Sequence, residues 1–296
     1  MKTIVGSLLA LWDGAAGASV GCVTARQRTA TVSLKEVVLR TRILLVVLVF
    51  LGISGALSAE SSCGTMPPLP EGVTKDEQLD YLLRRAVACV HEGKPSLSIE
   101  IFSEMLGIDP ENDTAYLNRG NAYLQTGQPD LAIADFSKTI SLKPEAVEAW
   151  YNRGVAFIVA QKYDRGIADL GEALRLKPDF ARAYCNRGLG LLRKDDYERA
   201  RADLDTGIQK DPNLALCYYV RGELYFARRQ YESAIADFTQ GLRLTPNVEG
   251  LSKRGEAYEQ LGEREKALAD FKKVLEVAPT FEPALDGMKR LSSEHE

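Results

Sequence analysis

Tyr116-Leu-Asn-Arg-Gly120, Trp150-Tyr-Asn-Arg-Gly154, Tyr184-Cys-Asn-Arg-Gly188 and Tyr218-Tyr-Val-Arg-Gly222 are four versions of one phrase, and Leu251-Ser-Lys-Arg-Gly255 is a looser fifth. The glycines stand 34, 34, 34 and 33 residues apart. Pro110, Pro144, Pro178, Pro212, Pro246 and Pro279 keep the same step, shortened once to 33 at the end. A period of this length is that of stacked helix–turn–helix units, none of which can bury its apolar face alone.

Around each Gly the chemistry repeats. Three residues later stands a large apolar side chain (Tyr123, Phe157, Leu191, Tyr225, Tyr258), and twelve later a small one (Ala132, Gly166, Ala200, Ala234, Ala267). Four further on comes Phe136, Leu170, Leu204, Phe238 or Phe271. The spacing predicts an apolar stripe on a first helix. Gly inside a helix costs about 1 kcal/mol against Ala, so its recurrence predicts that a second helix approaches there, with the small residue as the reciprocal half of the contact. Pro then ends the second helix. Arg precedes each Gly, and sixteen residues after the Arg stands Asp: Arg119 and Asp135, Arg153 and Asp169, Arg187 and Asp203, Arg221 and Asp237, Arg254 and Asp270. This spacing predicts a bidentate ion pair between the two helices of each unit.

These marks resemble the tetratricopeptide repeat family, over residues 79–280 and six units. The first unit is degenerate: Ala86 replaces Gly, Cys89 the aromatic, Ser98 the small residue and Ile101 the Asp, while Phe102 and Pro110 stay in phase. The resemblance implies an all-α, right-handed solenoid, closed by a cap helix in 281–296. It also implies a concave groove lined by the first helices, with Leu117, Asn118, Asn121, Tyr151, Asn152, Val155, Arg182, Asn186, Leu189, Tyr219 and Phe226 as candidate peptide-binding residues. Two readings of Asn118, Asn152 and Asn186 stand side by side: a ladder of amides gripping a peptide backbone, or amides satisfied by their own neighbours. A family variant captures a carboxylate with two Asn and several cations. Asn121, Asn152 and Arg182 match it, but Leu117 and Asn186 stand where cations are needed, so carboxylate capture is not expected. In the sixth unit Ser252, Lys253, Glu256 and Glu259 predict that the apolar groove floor ends.

The ends and the composition narrow the function. Residues 1–62 hold six basic residues (Lys2, Arg26, Arg28, Lys35, Arg40, Arg42) against three acidic ones (Asp13, Glu36, Glu60), so the net charge of −4 divides into +3 there and −7 in the remainder. An acidic repeat region argues against nucleic acid as a partner. Residues 1–42 read as a disordered leader, longer than a usual n-region, for which an initiation point downstream of Met1 would account. Residues 43–59 read as a signal-peptide core or an uncleaved membrane anchor. Either exports the repeats across a bacterial inner membrane, to the periplasm or to its outer surface. Residues 60–78, with Pro67-Pro68-Leu69-Pro70, read as a linker. Cys63 follows Glu-Ser-Ser, similar to the run before a lipoprotein cysteine but without its upstream apolar residue. The five cysteines (Cys22, Cys63, Cys89, Cys185, Cys217) show no CxxC, and free thiols are expected. His91 and His295 are the only histidines, and no metal-ligand, nucleophile or phosphate-loop motif occurs; no cofactor, metal or enzymatic activity is expected. The sequence therefore predicts a non-catalytic adaptor whose partner is another protein, with self-association through an end unit as a second route. The alternative is a membrane-tethered structural subunit of an envelope assembly.

Overall fold

The computed structural model describes residues 72–293, with Cys63 and Leu69 ahead of them. The leader and the 43–59 segment lie outside the described residues, as does the end of the tail. Thirteen helices and no strand are found among the described residues. They pair as first and second helices of six units: α1 (Lys75–His91) and α2 (Pro95–Ile108), α3 (Asp113–Gln125) and α4 (Pro129–Leu142), α5 (Val147–Val159) and α6 (Tyr163–Leu176), α7 (Ala181–Leu192) and α8 (Tyr197–Lys210), α9 (Ala215–Ala227) and α10 (Tyr231–Leu244), α11 (Val248–Gln260) and α12 (Arg264–Val277). The cap helix α13 (Glu282–Ser293) closes the row. The first helix begins at Lys75, inside the stretch read as linker, where Thr74 and Glu77 form a reciprocal capping box.

Local sequence dictates both kinds of turn. Each second helix ends on the residue before a repeat proline: Asp109, Lys143, Lys177, Asp211, Thr245 and Ala278. All six leave the helical region, with φ between −129° and −145° and ψ between 80° and 97°, as a proline ring favours in its predecessor. Within a unit, the turn between helices holds one left-handed residue: Gly93, Gly127, Gln161, Asp195, Arg229 and Gly262. The preceding helix's carbonyls are capped there, as by Gln128 N–H to the Tyr123 carbonyl at 2.8 Å. Only half of these positions are glycine, so this second periodic mark is silent in the sequence.

The predicted helix contact is present in every unit. A Cβ placed on Gly120, Gly154, Gly188, Gly222 or Gly255 would meet, respectively, Phe136, Leu170, Leu204, Phe238 or Phe271 at 2.6–2.8 Å. Ala132, Ala200, Ala234 and Ala267 opposite are fully buried. In α5 and α6 the approach is closest, because Gly166 replaces the alanine and its own Cβ would lie 2.9 Å from the Gly154 carbonyl. Successive first helices touch one another from α3 to α13, whereas second helices pack mainly on the first helices beside them. The first helices therefore form the inner side of the curved row.

The cysteines correct the expectation of free thiols. Cys63 is bonded to Cys89, and Cys185 to Cys217, with Cα–Cα distances of 4.6 and 5.0 Å. All four are fully buried. Their sequence separations, 26 and 32 residues, follow no disulfide pattern, and their helical setting reads as ordinary core. Only the stacking brings them together. Cys89 stands at the aromatic place of the degenerate unit, and Cys63 fills the space beside it against Leu82, Ala86, Phe102 and Met105. The Cys63 N–H donates to Glu92 Oε1 at 2.6 Å. The first unit is thus completed from outside the repeat, and the Cys63 sulfur carries no lipid in this arrangement.

Candidate functional site

The recurrent Arg–Asp pairs are the frame of the site. Arg119, Arg153, Arg187, Arg221 and Arg254 each hold their Asp through Nε and Nη2, at 2.7–3.0 Å. The carboxylates are buried. The hydrogen bonds each arginine donates to its Asp carboxylate, working against burial, hold Arg119, Arg187, Arg221 and Arg254 above the usual guanidinium range. The remaining nitrogen reaches back into the preceding unit: Arg119 Nη1 to Ser103 Oγ, Arg153 to Ser137, Arg221 to Asp205 and Arg254 to Thr239. At Arg187 the corresponding residue is Gly171, whose added Cβ would sit 3.9 Å from Nη1. Each Arg also lies over an aromatic ring, as Arg153 does over Trp150 at 4.9 Å. One side chain thus joins its own unit and, four times in five, the unit before it.

On the inner face the candidate residues are brought together, but largely with one another. Asn152 Nδ2 donates to Asn121 Oδ1 at 2.8 Å. Asn186 Nδ2 donates to the Tyr151 hydroxyl and to the Arg182 carbonyl, both at 3.0 Å. Asn118 Nδ2 donates to the Thr114 carbonyl of its own helix at 2.8 Å. Of the two readings of the amides, satisfaction by neighbours describes these donors. Tyr151, Asn152, Asn186, Leu189 and Tyr219 are buried as contacts between units. Burial pushes the Tyr151 hydroxyl up to about 12, opposed by the positive charge of Arg182 and by the Asn186 hydrogen bond. Burial likewise raises the Tyr219 hydroxyl, which donates to the Thr245 carbonyl at 2.5 Å.

What remains open to a ligand is a row of half-buried side chains: Leu117, Asn118, Asn121, Val155, Arg182 and Phe226. Arg182 has no ion-pair partner among the described residues. Residues outside the candidate set extend the cross-unit ties. Arg193, the residue capping α7, bonds Glu223 of α9 at 2.8 Å, Lys253 of α11 lies 5.6 Å from the Phe226 ring of α9, and Arg290 of α13 forks onto Glu259 of α11. Their separations of 27–31 residues, a little short of the repeat, are the signal that would have found them. At the sixth unit the face turns to ion pairs, Lys253 with Glu256 and Arg290 with Glu259. Ser252 is buried there, its hydroxyl without a hydrogen-bond partner among the described residues.

Tetratricopeptide repeat models match residues 117–167, 156–215, 215–248 and 248–281, more than half of the chain in one unbroken run. The chain belongs to the tetratricopeptide repeat family. No curated protein matches it in sequence. Among solved structures it is similar to PilF of Pseudomonas aeruginosa, at 17% identity over 73% of this chain and 99% of that one, with a TM-score of 0.61. It is also similar to PilW, a widely conserved type IV pilus biogenesis factor (17%, 72% and 98%, TM-score 0.63). A chain of the APC/C hetero-tetramer Cut9–Hcn1 matches 73% of this chain and 43% of its own length, at 17% identity and a TM-score of 0.68. At these identities the likeness is one of fold. As a member of this repeat family, the chain is a protein-interaction module.

Proposed function

We propose that this tetratricopeptide repeat protein is an exported, non-catalytic adaptor that binds an extended segment of another protein along the inner face of its first helices. The observation that carries the reading is the division of labour on that face. The buried residues tie successive helices together, and Leu117, Val155 and Phe226 stay half-buried above them with Asn118, Asn121 and Arg182 alongside. Such a floor is held in place before a ligand arrives, which lowers the ordering cost of binding. Apolar anchors with a few polar groups are the composition of an interaction surface. Two buried disulfides support export, because such bonds persist in oxidising compartments and are rare in the cytosol. They also weigh against the tethered-lipoprotein alternative, since the Cys63 sulfur is already bonded to Cys89.

A photo-crosslinking amino acid placed in the full-length protein in cells tests the groove. At Val155, on the inner face, it is expected to give discrete protein adducts. At Lys138, exposed on α4, it is expected to give none of the same adducts. Equal labelling from both positions overturns the reading. Cell fractionation tests the compartment: the protein is expected outside the cytosol, and a reduced, cytosolic pool as the main form overturns export.

A further inference from the structure

The Cys185–Cys217 bridge lies under the groove floor, and its surroundings are fitted to it. Cys185 occupies the place held by Leu117, Tyr151, Tyr219 and Ser252 in the other phased units. Tyr151 and Tyr219 use that place to reach out of their own helix, to Asn186 and to the Thr245 carbonyl. Cys185 does the same with a covalent bond, to a residue of the following first helix. On the other side the bridge rests on Gly207 of α8, where a Cβ would lie 2.6 Å from the Cys185 sulfur and 3.0 Å from that of Cys217. The helices it joins, α7 and α9, make the most extensive contact of any two successive first helices. Leu189, Leu192 and Val220 pack in the same cluster, and the Arg193–Glu223 ion pair crosses the same junction.

We propose that this disulfide is a one-way latch that fixes the α7–α9 junction in its groove-forming geometry once the chain reaches an oxidising compartment. The inference rests on the groove reading and adds a control over it. Closure removes two electrons and two protons from the Cys185 and Cys217 thiols. A disulfide oxidant, such as an oxidised dithiol protein, takes them through a mixed disulfide and leaves as two thiols. Both sulfurs are fully buried in the folded chain. Exchange therefore needs the junction open, so the latch closes as the units dock and resists reduction afterwards.

The test compares three forms of the full-length protein by hydrogen exchange: oxidised wild type, wild type unfolded and refolded in a phosphine reductant, and Cys185→Ala/Cys217→Ala. Amides of α7 and α9 are expected to exchange at least tenfold faster in the two bridge-free forms, with α3–α6 changed less than twofold. The refolded wild type keeps the test valid if the double variant does not fold. In the native oxidised protein, maleimide labelling of these cysteines under reductant is expected to be slow and to accelerate with subdenaturing urea. Unchanged exchange in α7 and α9, or fast urea-independent reduction, overturns the latch. Crosslinking from Val155 reads the groove separately: its yield is expected to fall at least fivefold without the bridge. Loss of crosslinks already in oxidised wild type points to failure of the groove reading, while the exchange data still decide the latch.

Discussion

The arginine relay gives the sharpest single-residue expectations. Asp203→Ala leaves Arg187, three-quarters buried, without its partner, and is expected to destabilise the protein by about 3 kcal/mol in urea denaturation. An unchanged midpoint removes the ion pair from the account. Gly171→Ser restores the hydroxyl that Ser103 and Ser137 offer to Arg119 and Arg153. It is expected to stabilise by about 1 kcal/mol and to do at least as well as Gly171→Ala, although Ala is the better helix former. A clear lead for Ala argues against the restored hydrogen bond. Tyr151 supplies a pH test. An exposed tyrosine ionises near 10, whereas this one is held at about 12 by burial. Its contribution to stability is therefore complete below pH 10 and lost as the pH rises towards 12. Tyr151→Phe is expected to flatten that part of the stability profile. The pairs themselves were legible, because Arg and Asp repeat at sixteen residues. The fate of the asparagines was not: a periodic amide looks the same whether it faces a ligand or Asn121 and Tyr151.

For the helices and turns, sequence and structure agree wherever one residue type alone satisfies the geometry. Gly120 and its equivalents are glycine because the ring or branch sixteen residues on occupies their side-chain space. The pre-proline residues leave the helical region because the following ring clashes with it. The left-handed turn residues obey weaker chemistry, so Gln161, Asp195 and Arg229 stand beside Gly93, Gly127 and Gly262. These three non-glycine positions carry strain that glycine would relieve. Arg229→Gly is expected to raise stability by about 0.5–1 kcal/mol, and Gly127→Ala to lower it by about 1 kcal/mol. Opposite signs in thermal melts are the check; equal signs refute the turn argument. The start of α1 was missed because Thr74 and Glu77 stand outside the 34-residue phase. A reciprocal capping box that belongs to the end of the row alone leaves no mark at the repeat spacing.

Across the whole molecule, the chain is a line of units in which each contacts only its neighbours, so its stability is a sum of local terms and junctions. The disulfides are covalent ties between such neighbours, 26 and 32 residues apart, and they were invisible in the sequence because their partners converge only when units stack. Closing loops of this size stabilises by about 3.5 kcal/mol in the chain-entropy view. Cys63→Ser/Cys89→Ser is expected to loosen α1 and α2 while leaving α9–α12 untouched, which hydrogen exchange resolves by segment. Uniform loosening would mean that the row unfolds as one block.

The same bond at Cys63 also settles how the chain bears load. Tension applied ahead of Cys63 enters at Cys89, near the far end of α1, and not at Lys75. The 26-residue span between the two sulfurs is taken out of the line of force. A pull that would peel α1 from its free end is converted into shear across the first unit. In a single-molecule stretch from an N-terminal handle, about 90 Å of contour length is expected to stay hidden until the bond is reduced.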